Sequence, residues 1–598
     1  MTRRYMSRDL LTFPLGDGTS LAAEGSRPVR VSNTAARLLR HCVVFKTLEQ
    51  HAADLCRAYP REDKAAVMAE LRALIRKDLL QDDVALAAQL RQRKPQRKPA
   101  RISWLGMPTR NRLDSLCANL ESYVDNVLEH GREISFVVVD DSQARDTRAL
   151  CRQRLRELKR RRGIALHYAG AEEKRRFAAL LRTAGFDRSD IAFCLFGEEG
   201  CGSTIGANRN ALLLQTAGEA LFAPDDDTAC HLGIPSGAEP GLALSSARDP
   251  NESWLLSEHP DPSGPRRVQE DVLGLHELLL GRDLPGCLAA LPGQQLSLGT
   301  CLPPFIQELV NGREEVLFTT MGTEGIGIDD PLYYLRKRGP GRARLFESES
   351  TYQQLLRTRR VVESARQLTL TEAELWNGCV VAYDNRELLP PFFPVLRGED
   401  GIFGLSALLC VPSLCTGHIP RTVLHAAGES RSFTKGTPAQ AGAFLPAQTL
   451  IRLCLNAYKP GVEERTRVER MRGLGRHLMG LGALAPPEFE RWLDPLFLEH
   501  RSRELFSLEY ALAEHGRAPA FWVRDCERAK KALRQSLQDR TRLIPHDLRP
   551  GRSLEEARAL LQRLLLRFGR LLQVWPDMVT AAREARARGQ LIAPALSR

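Results

Sequence analysis

No run of about 18 uncharged apolar residues occurs in the chain, so no spanning helix is expected. The opening Met1-Thr2-Arg3-Arg4-Tyr5 is basic, but no apolar core follows it, which argues against a secretory signal. The fourteen cysteines include no C-x-x-C pair and keep no regular spacing, which excludes a secreted disulfide framework. Cys42, Cys56, Cys117 and Cys194 stand in apolar settings and read as small core residues. The expectation is a soluble protein of a reducing, cytoplasmic compartment.

Apolar residues are plentiful. The 598-residue chain is 43% hydrophobic and 26% charged, enough for several cored domains. Its net charge, 85 − 73 = +12, permits an anionic partner such as nucleic acid, a membrane surface or a nucleotide sugar, without choosing among them.

Four regions are expected. Residues 1–90 read as a hairpin followed by three helices, the second opened by the capping box Thr47/Gln50, together a unit of winged-helix size. Residues 91–101, RQRKPQRKPAR, read as a solvated basic linker. From 102 to 435 apolar runs alternate with amphipathic segments, the pattern of a doubly wound α/β sheet. From 440 to 598 helical patterns dominate.

Two apolar runs end abruptly in acid: Ile134 to Asp140, continued by Asp141, and Ala220 to Pro224, continued by Asp225-Asp226-Asp227. Short buried strands of a parallel sheet look like this, and their carboxyl ends are where such sheets bind ligands. Three adjacent aspartates repel one another unless a cation joins them, and hard divalent cations favour carboxylate oxygens together with phosphates. Around these ends lie Thr109-Arg110-Asn111-Arg112 after the first strand, Asn208-Arg209-Asn210 opening a helix, the glycine-bounded Gly398-Glu399-Asp400-Gly401, and the imidazoles His418 and His425.

In this order the set resembles the GT-A fold glycosyltransferases, particularly the family-2-like group. That pattern runs strand, T-x-x-R-like loop, helix, strand ending in Asp-Asp, Arg-Asn helix, D-x-D strand end, Glu-Asp acceptor loop, late histidine. The resemblance implies a Rossmann-like nucleotide-diphospho-sugar transferase core and hexosyl-type transfer from a UDP- or GDP-sugar with Mn²⁺ or Mg²⁺. Thr109, Arg112, Asp140 or Asp141, Arg209, Asn210 and Asp225 would then contact the nucleotide. Asp225 and Asp227 would hold the metal, with His425 favoured over His418 as a further ligand. Asp400 would be the general base of an inverting attack, flanked by Glu399. The chain departs from the pattern between Asp227 and Asp400, 400 − 227 = 173 positions apart, where an insertion at about 235–371 is expected to border the acceptor side.

The first ninety residues resemble PqqD-like peptide-recognition elements. The resemblance rests on the hairpin segments, Val31-Ser32-Asn33-Thr34-Ala35, Phe45 to His51 and the Leu71…Leu80 end. It implies that a leader peptide adds as an edge strand, in the manner of ribosomal peptide maturation. The acceptor expected is a peptide, protein or glycan. DNA ranks lower, because Arg27, Arg30, Arg37 and Arg40 are the only basic cluster there and no helix is conspicuously basic. The alternatives are a non-catalytic sugar-nucleotide-binding scaffold and a winged-helix regulator.

Overall fold

Alternating apolar runs and amphipathic segments assemble into one large sheet flanked by helices. The computed structural model describes residues 3–597 apart from 16, 25–26, 248, 257–263, 328–329, 338, 375–376, 427–441, 443–444, 515–517 and 540. The domain boundary expected at 435–440 lies outside the described residues.

The central strands are β1 (Ile102–Thr109), β2 (Ser135–Asp140), β3 (Ala165–Ala169), β4 (Ala220–Pro224), β5 (Glu315–Ile326), β6 (Val380–Asp384) and β7 (Leu414–His425). They lie in the order β3-β2-β1-β4-β6-β5-β7. Only β6 runs antiparallel to its neighbours in this series. The apolar run Phe136-Val137-Val138-Val139 of β2 is buried throughout, as a strand covered on both faces requires. Helix α1 (Leu113–Glu129) buries Leu116, Leu120, Tyr123, Val124 and Val127, a single stripe at helical spacing. Chain progression reverses at β1, with β2 and β3 to one side and β4 to the other, so a crevice opens at the carboxyl ends of β1, β2 and β4.

Residues 235–371, expected as an insertion, are part of the large sheet itself. They contribute β5, a strand in the middle of the sheet, and Leu242–Ser245, Glu252–Leu255, Leu296–Thr300, Arg360–Ser364 and Leu368–Thr371, which extend the same sheet. The sequence hid β5 because Thr319, Thr320, Gly322, Thr323 and Gly325 break its apolar run. Gly322 is required there by close approach: a Cβ would strike the carbonyl of Glu363 on the neighbouring strand.

In the N-terminal unit, strands Leu11–Pro14, Thr19–Glu24 and Arg27–Ser32 form a three-stranded antiparallel sheet, one strand more than the expected hairpin. Helices Asn33–His41, Leu48–Ala58 and Lys64–Arg76 pack on it, with Ser32 capping the first and Thr47/Gln50 closing a capping box on the second. A fourth helix, Asp83–Gln92, inserts Leu86 and Leu90 into a core cluster of the large sheet. The basic segment that follows is docked, not solvated: Arg93 pairs with the buried Glu314 at 3.0 Å and Arg97 with Glu315 at 2.5 Å.

The C-terminal helices share their core with the sheet. Helix α2 (Ile205–Gln215), helix α3 (Glu399–Cys410) and the long helix α5 (Leu554–Ala587) contribute to one apolar cluster, and Trp575 Nε1 donates to Leu389 O at 2.7 Å. Helix α4 (Pro486–Glu514) and helix Ala520–Gln538 cover the segments 331–358. Past α5 the chain returns along β3, where Leu596 N donates to Leu166 O at 3.0 Å and covers an edge otherwise open to pairing. No helix among the described residues is long and apolar enough to cross a membrane.

Candidate active site

The three aspartates stand where β4 leaves the sheet. The first turns of α1 hold that bend: Ser115 Oγ and Asn119 Nδ2 donate to the carbonyl of Asp226 at 2.7 and 2.8 Å. Thr109 Oγ1, at the end of β1, donates to Asp226 Oδ2 at 2.7 Å. Arg112 Nη1 donates to Asp226 Oδ1 at 3.1 Å and to Asp227 Oδ2 at 2.8 Å. Asp226 lines the cleft, the middle acid rather than the flanking pair that the D-x-D pattern favours.

After the bend, Thr228 pairs opposite His425 on β7, and Ala426 N donates to Asp227 O at 2.9 Å. This register brings the late histidine to the acids. His425 Nδ1 lies 2.8 Å from Ile326 O, and a carbonyl only accepts, so Nδ1 carries the hydrogen. Its Nε2 faces Asp227 Oδ1 at 3.5 Å. Burial disfavours the charged ring, but Asp227 outweighs it and raises the pKa of His425, so the Nε2 proton lies between the two and a divalent ion would have to displace it. His418 sits far along the same strand, buried beside Thr371 Oγ1 at 3.3 Å, and burial lowers its pKa to about 4.

Asp400 and Glu399 form the first turn of α3, where carboxylates are favoured by the helix dipole. Gly398 precedes them with φ +84°, and a Cβ there would collide with Gln448 Oε1. Asp400 lines the cleft; its Oδ2 accepts from Gly378 N at 3.1 Å, while its Oδ1 has no hydrogen-bond partner among the described residues. Arg209 links this turn to β4: Nη2 donates to Asp225 Oδ1 at 2.8 Å, and Nε lies 3.5 Å from both Glu399 Oε1 and Asp400 Oδ1.

Electrostatics differ within the cluster. Burial pushes Asp225 well above the usual carboxylate range, against the pull of Arg209. Burial also raises Asp226. Asp227 is buried as well, but the hydrogen bond and charge of His425, with Arg112, hold it down to about 2. Burial and the neighbouring Asp400 raise Glu399 to about 7. The cluster is short of positive charge, and its oxygen and imidazole donors suit a divalent ion such as Mn²⁺ or Mg²⁺. Among the described residues, however, no three His, Cys, Asp or Glu side chains are gathered into a ready cage.

Of the expected nucleotide contacts, Asp225 is set back from the cleft behind Asp226, and three others do not reach it. Asp140 is fully buried, accepting from Tyr168 OH and Ser142 N, each at 2.8 Å. Asn210 is spent on backbone: Phe392 N donates to its Oδ1 at 2.7 Å, and its Nδ2 donates to Phe392 O at 3.0 Å. Arg209 is 2% exposed and serves as a counter-charge beneath the acids. All three lie inward because β2 and α2 are covered on every side. Thr109, Arg112, Asp141, Asp226, Asp400 and His425 do line the cleft, whose volume is 2160 Å³.

No protein-family model matches the sequence, and no curated protein matches it. Among solved structures, the chain is similar to a mannosyltransferase from Pyrobaculum calidifontis in complex with GDP-Man and Mn²⁺. The identity is 12%, the match covers 82% of this chain and 93% of that one, and the TM-score is 0.23. A likeness at that TM-score decides nothing about this chain, whose activity has to be read from its own residues.

Sequence reasoning missed Lys174. It is fully buried, donating to Asp141 Oδ1 at 3.1 Å and Asn208 Oδ1 at 3.0 Å, and Thr204 Oγ1 donates to the other Asp141 oxygen. Lys174 stands in the run Glu172-Glu173-Lys174-Arg175-Arg176, which looks like a solvated helix face. No local signal separates it from its neighbours.

Proposed function

We propose that the protein is a metal-dependent, inverting glycosyltransferase that moves a hexosyl group from a UDP- or GDP-sugar to a peptide, protein or glycan. One observation carries this reading. Acids at the carboxyl end of β4 lie across a single buried arginine from a cleft-lining carboxylate at the start of α3, at the reversal point of a doubly wound sheet.

Thr109 and Arg112 fix Asp226, and Asp141 is oriented by Lys174 and Thr204, so the nucleotide end of the cleft is preorganised before a ligand arrives. Asp227 and His425, with Asp225 beside them, would hold Mn²⁺ or Mg²⁺; when bound, the ion stabilises charge developing on the departing diphosphate. Asp400 takes the proton of the acceptor as the acceptor oxygen bonds to the anomeric carbon from the side opposite the diphosphate. The bond from that carbon to the diphosphate oxygen breaks, its electron pair leaves with the diphosphate, and the anomeric centre inverts. Glu399 acts through Arg209, keeping Asp400 in place.

The N-terminal sheet supports docking of a peptide segment. Its edge strand Leu11–Pro14 exposes Leu11 and Phe13, two positions apart on one face, beside an unpaired backbone edge.

Calorimetric titration with UDP, then GDP, with and without Mn²⁺ tests the reading. Metal-dependent binding of one of them is expected. Absence of binding by both nucleotides in the presence of Mn²⁺ would overturn it.

A further inference from the structure

The far end of the cleft is built by segments that the nucleotide end does not use. Strands Glu252–Leu255 and Arg360–Ser364 and the short helix Pro331–Leu335, with the residues that flank them, supply Asn251, Tyr333, Arg336 and Glu363, and α4 supplies Arg501 and Glu504 from above. Register places this wall near the acids. Glu363 pairs with Thr323 on β5, Thr323 pairs with Val423 on β7, and Val423 is two residues from His425. At 2160 Å³ the cleft exceeds the roughly 300–1,000 Å³ that a small-molecule site needs, so one ligand at the acids leaves room for a second.

The chemistry of the wall is that of fixed, mutually satisfied charges. Lys337 Nζ donates to Glu363 Oε1 at 3.0 Å and to Ser253 Oγ at 2.5 Å, and Tyr333 OH donates to the same Glu363 oxygen. Lys337 Nζ also lies 3.4 Å from the centroid of the Tyr333 ring. Arg336 pairs with Asp330 at 3.3 Å and Arg501 with Glu504 at 2.7 Å. Each cation on this wall that is named here has an acid beside it, which disfavours a polyanion such as a nucleic acid. What is left is a dense array of immobilised donors and acceptors around an aromatic ring. A hydroxyl group both donates and accepts, and a ligand made of hydroxyls on an apolar ring matches such a wall.

We propose that this wall, centred on Glu363 and Tyr333, is a carbohydrate subsite that takes the acceptor end of an oligosaccharide. The inference rests on the glycosyltransferase reading only for the word acceptor; the subsite itself stands on the wall's own residues. On this assignment the N-terminal unit docks the enzyme, and the cleft receives a glycan.

The test is saturation-transfer NMR on the full chain with a panel of mannotetraose, maltotetraose, xylotetraose and chitotetraose, alongside GDP and UDP titrations in Mn²⁺. At least one tetrasaccharide is expected to bind, and Glu363→Gln and Tyr333→Ala are each expected to weaken it at least about tenfold while nucleotide affinity stays unchanged. Tyr333→Phe, which keeps the ring, serves if either variant unfolds, and it should weaken binding less than Tyr333→Ala where both fold. Nucleotide binding without binding of any tetrasaccharide overturns the subsite and leaves the glycosyltransferase reading intact. Tetrasaccharide binding lost in the variants, without binding of either nucleotide, keeps the subsite and removes that reading. Binding indifferent to both substitutions overturns the subsite.

Discussion

Arg209 Nη2 donates to Asp225 Oδ1 at 2.8 Å from a side chain that is almost wholly removed from water. The same guanidinium lies 3.5 Å from Glu399 and Asp400, on a helix that begins 174 positions after Asp225 (399 − 225). A single cation thus sets the distance between the acids of β4 and the carboxylate of α3. In the proposed reaction those are the donor end and the base, so their spacing is decided by a residue that touches neither substrate.

Removing that cation should be costly. Arg209→Met leaves Asp225 and Glu399 buried without their counter-charge, and a loss of about 3–5 kcal/mol of unfolding free energy is expected in denaturant titration. Arg209→Lys should fall between, since it keeps the charge but not the forked geometry. A loss below about 1 kcal/mol in the methionine variant would show that the acids are relieved in another way.

Asp227 is the acid drawn toward His425 and Arg112, and its low pKa means that it enters the site ionised. Asp227→Ala should therefore abolish Mn²⁺-dependent nucleotide binding in calorimetry. Retained affinity would place the cation elsewhere.

Asp400 lines the cleft but makes little contribution to holding the nucleotide end. Asp400→Asn is expected to leave nucleotide affinity unchanged and to slow transfer by about 10²–10⁴, the usual contribution of a general base. Turnover near that of the unaltered protein would assign the base to another group.

Gly398 makes the position of Asp400 possible. Its φ of +84° disfavours any residue with a Cβ, and the end of the Gln448 side chain would have to move aside. Gly398→Ala should cost at least about 1–2 kcal/mol from the left-handed conformation alone. It should also depress transfer more than nucleotide binding, because the first turn of α3 must shift. Equal losses in both would mean that the disturbance spreads to β4.

Much of this site could be read locally. β2 and β4 announce themselves as short apolar runs ending in acid, which singles out Asp141 and Asp225–Asp227, whereas Asp400 is singled out by its glycine-bounded turn. What could not be read depends on pairing between distant segments. His425 reaches Asp227 because Thr228 and His425 share a register across 197 positions (425 − 228), and nothing near either residue specifies that. Arg209 and Asn210 carry a usable signal that was read otherwise. The helix Ile205-Gly206-Ala207-Asn208-Arg209-Asn210-Ala211-Leu212-Leu213-Leu214-Gln215 has no polar stripe, and such a helix is buried on all sides. Its polar residues therefore had to be paired internally. β5 escaped notice for the opposite reason, since threonines and glycines interrupt the apolar run of a strand that is nonetheless almost wholly buried.

A pH dependence follows from His276, which the proposed reaction does not use. The ring is fully buried against Phe222, with Nδ1 2.8 Å from Thr319 Oγ1, and burial lowers its pKa from the ordinary 6.5 to about 3. Between those values the unfolded chain binds a proton that the folded chain refuses. Folding stability is therefore intact above about pH 6.5 and falls as the pH drops, by about 1.4 kcal/mol per pH unit from this group. Carboxylates add their own acid dependence, so the contribution is isolated by comparison. In denaturant titrations between about pH 6 and 4.5, His276→Gln should show a slope of stability against pH shallower by about one proton than the unaltered protein. The difference in slope, unlike the difference in stability, is not produced by a packing defect at the substituted position. Parallel slopes in the two proteins would show that His276 takes up its proton without unfolding, and that the wall formed by Phe222 and Thr319 opens to water.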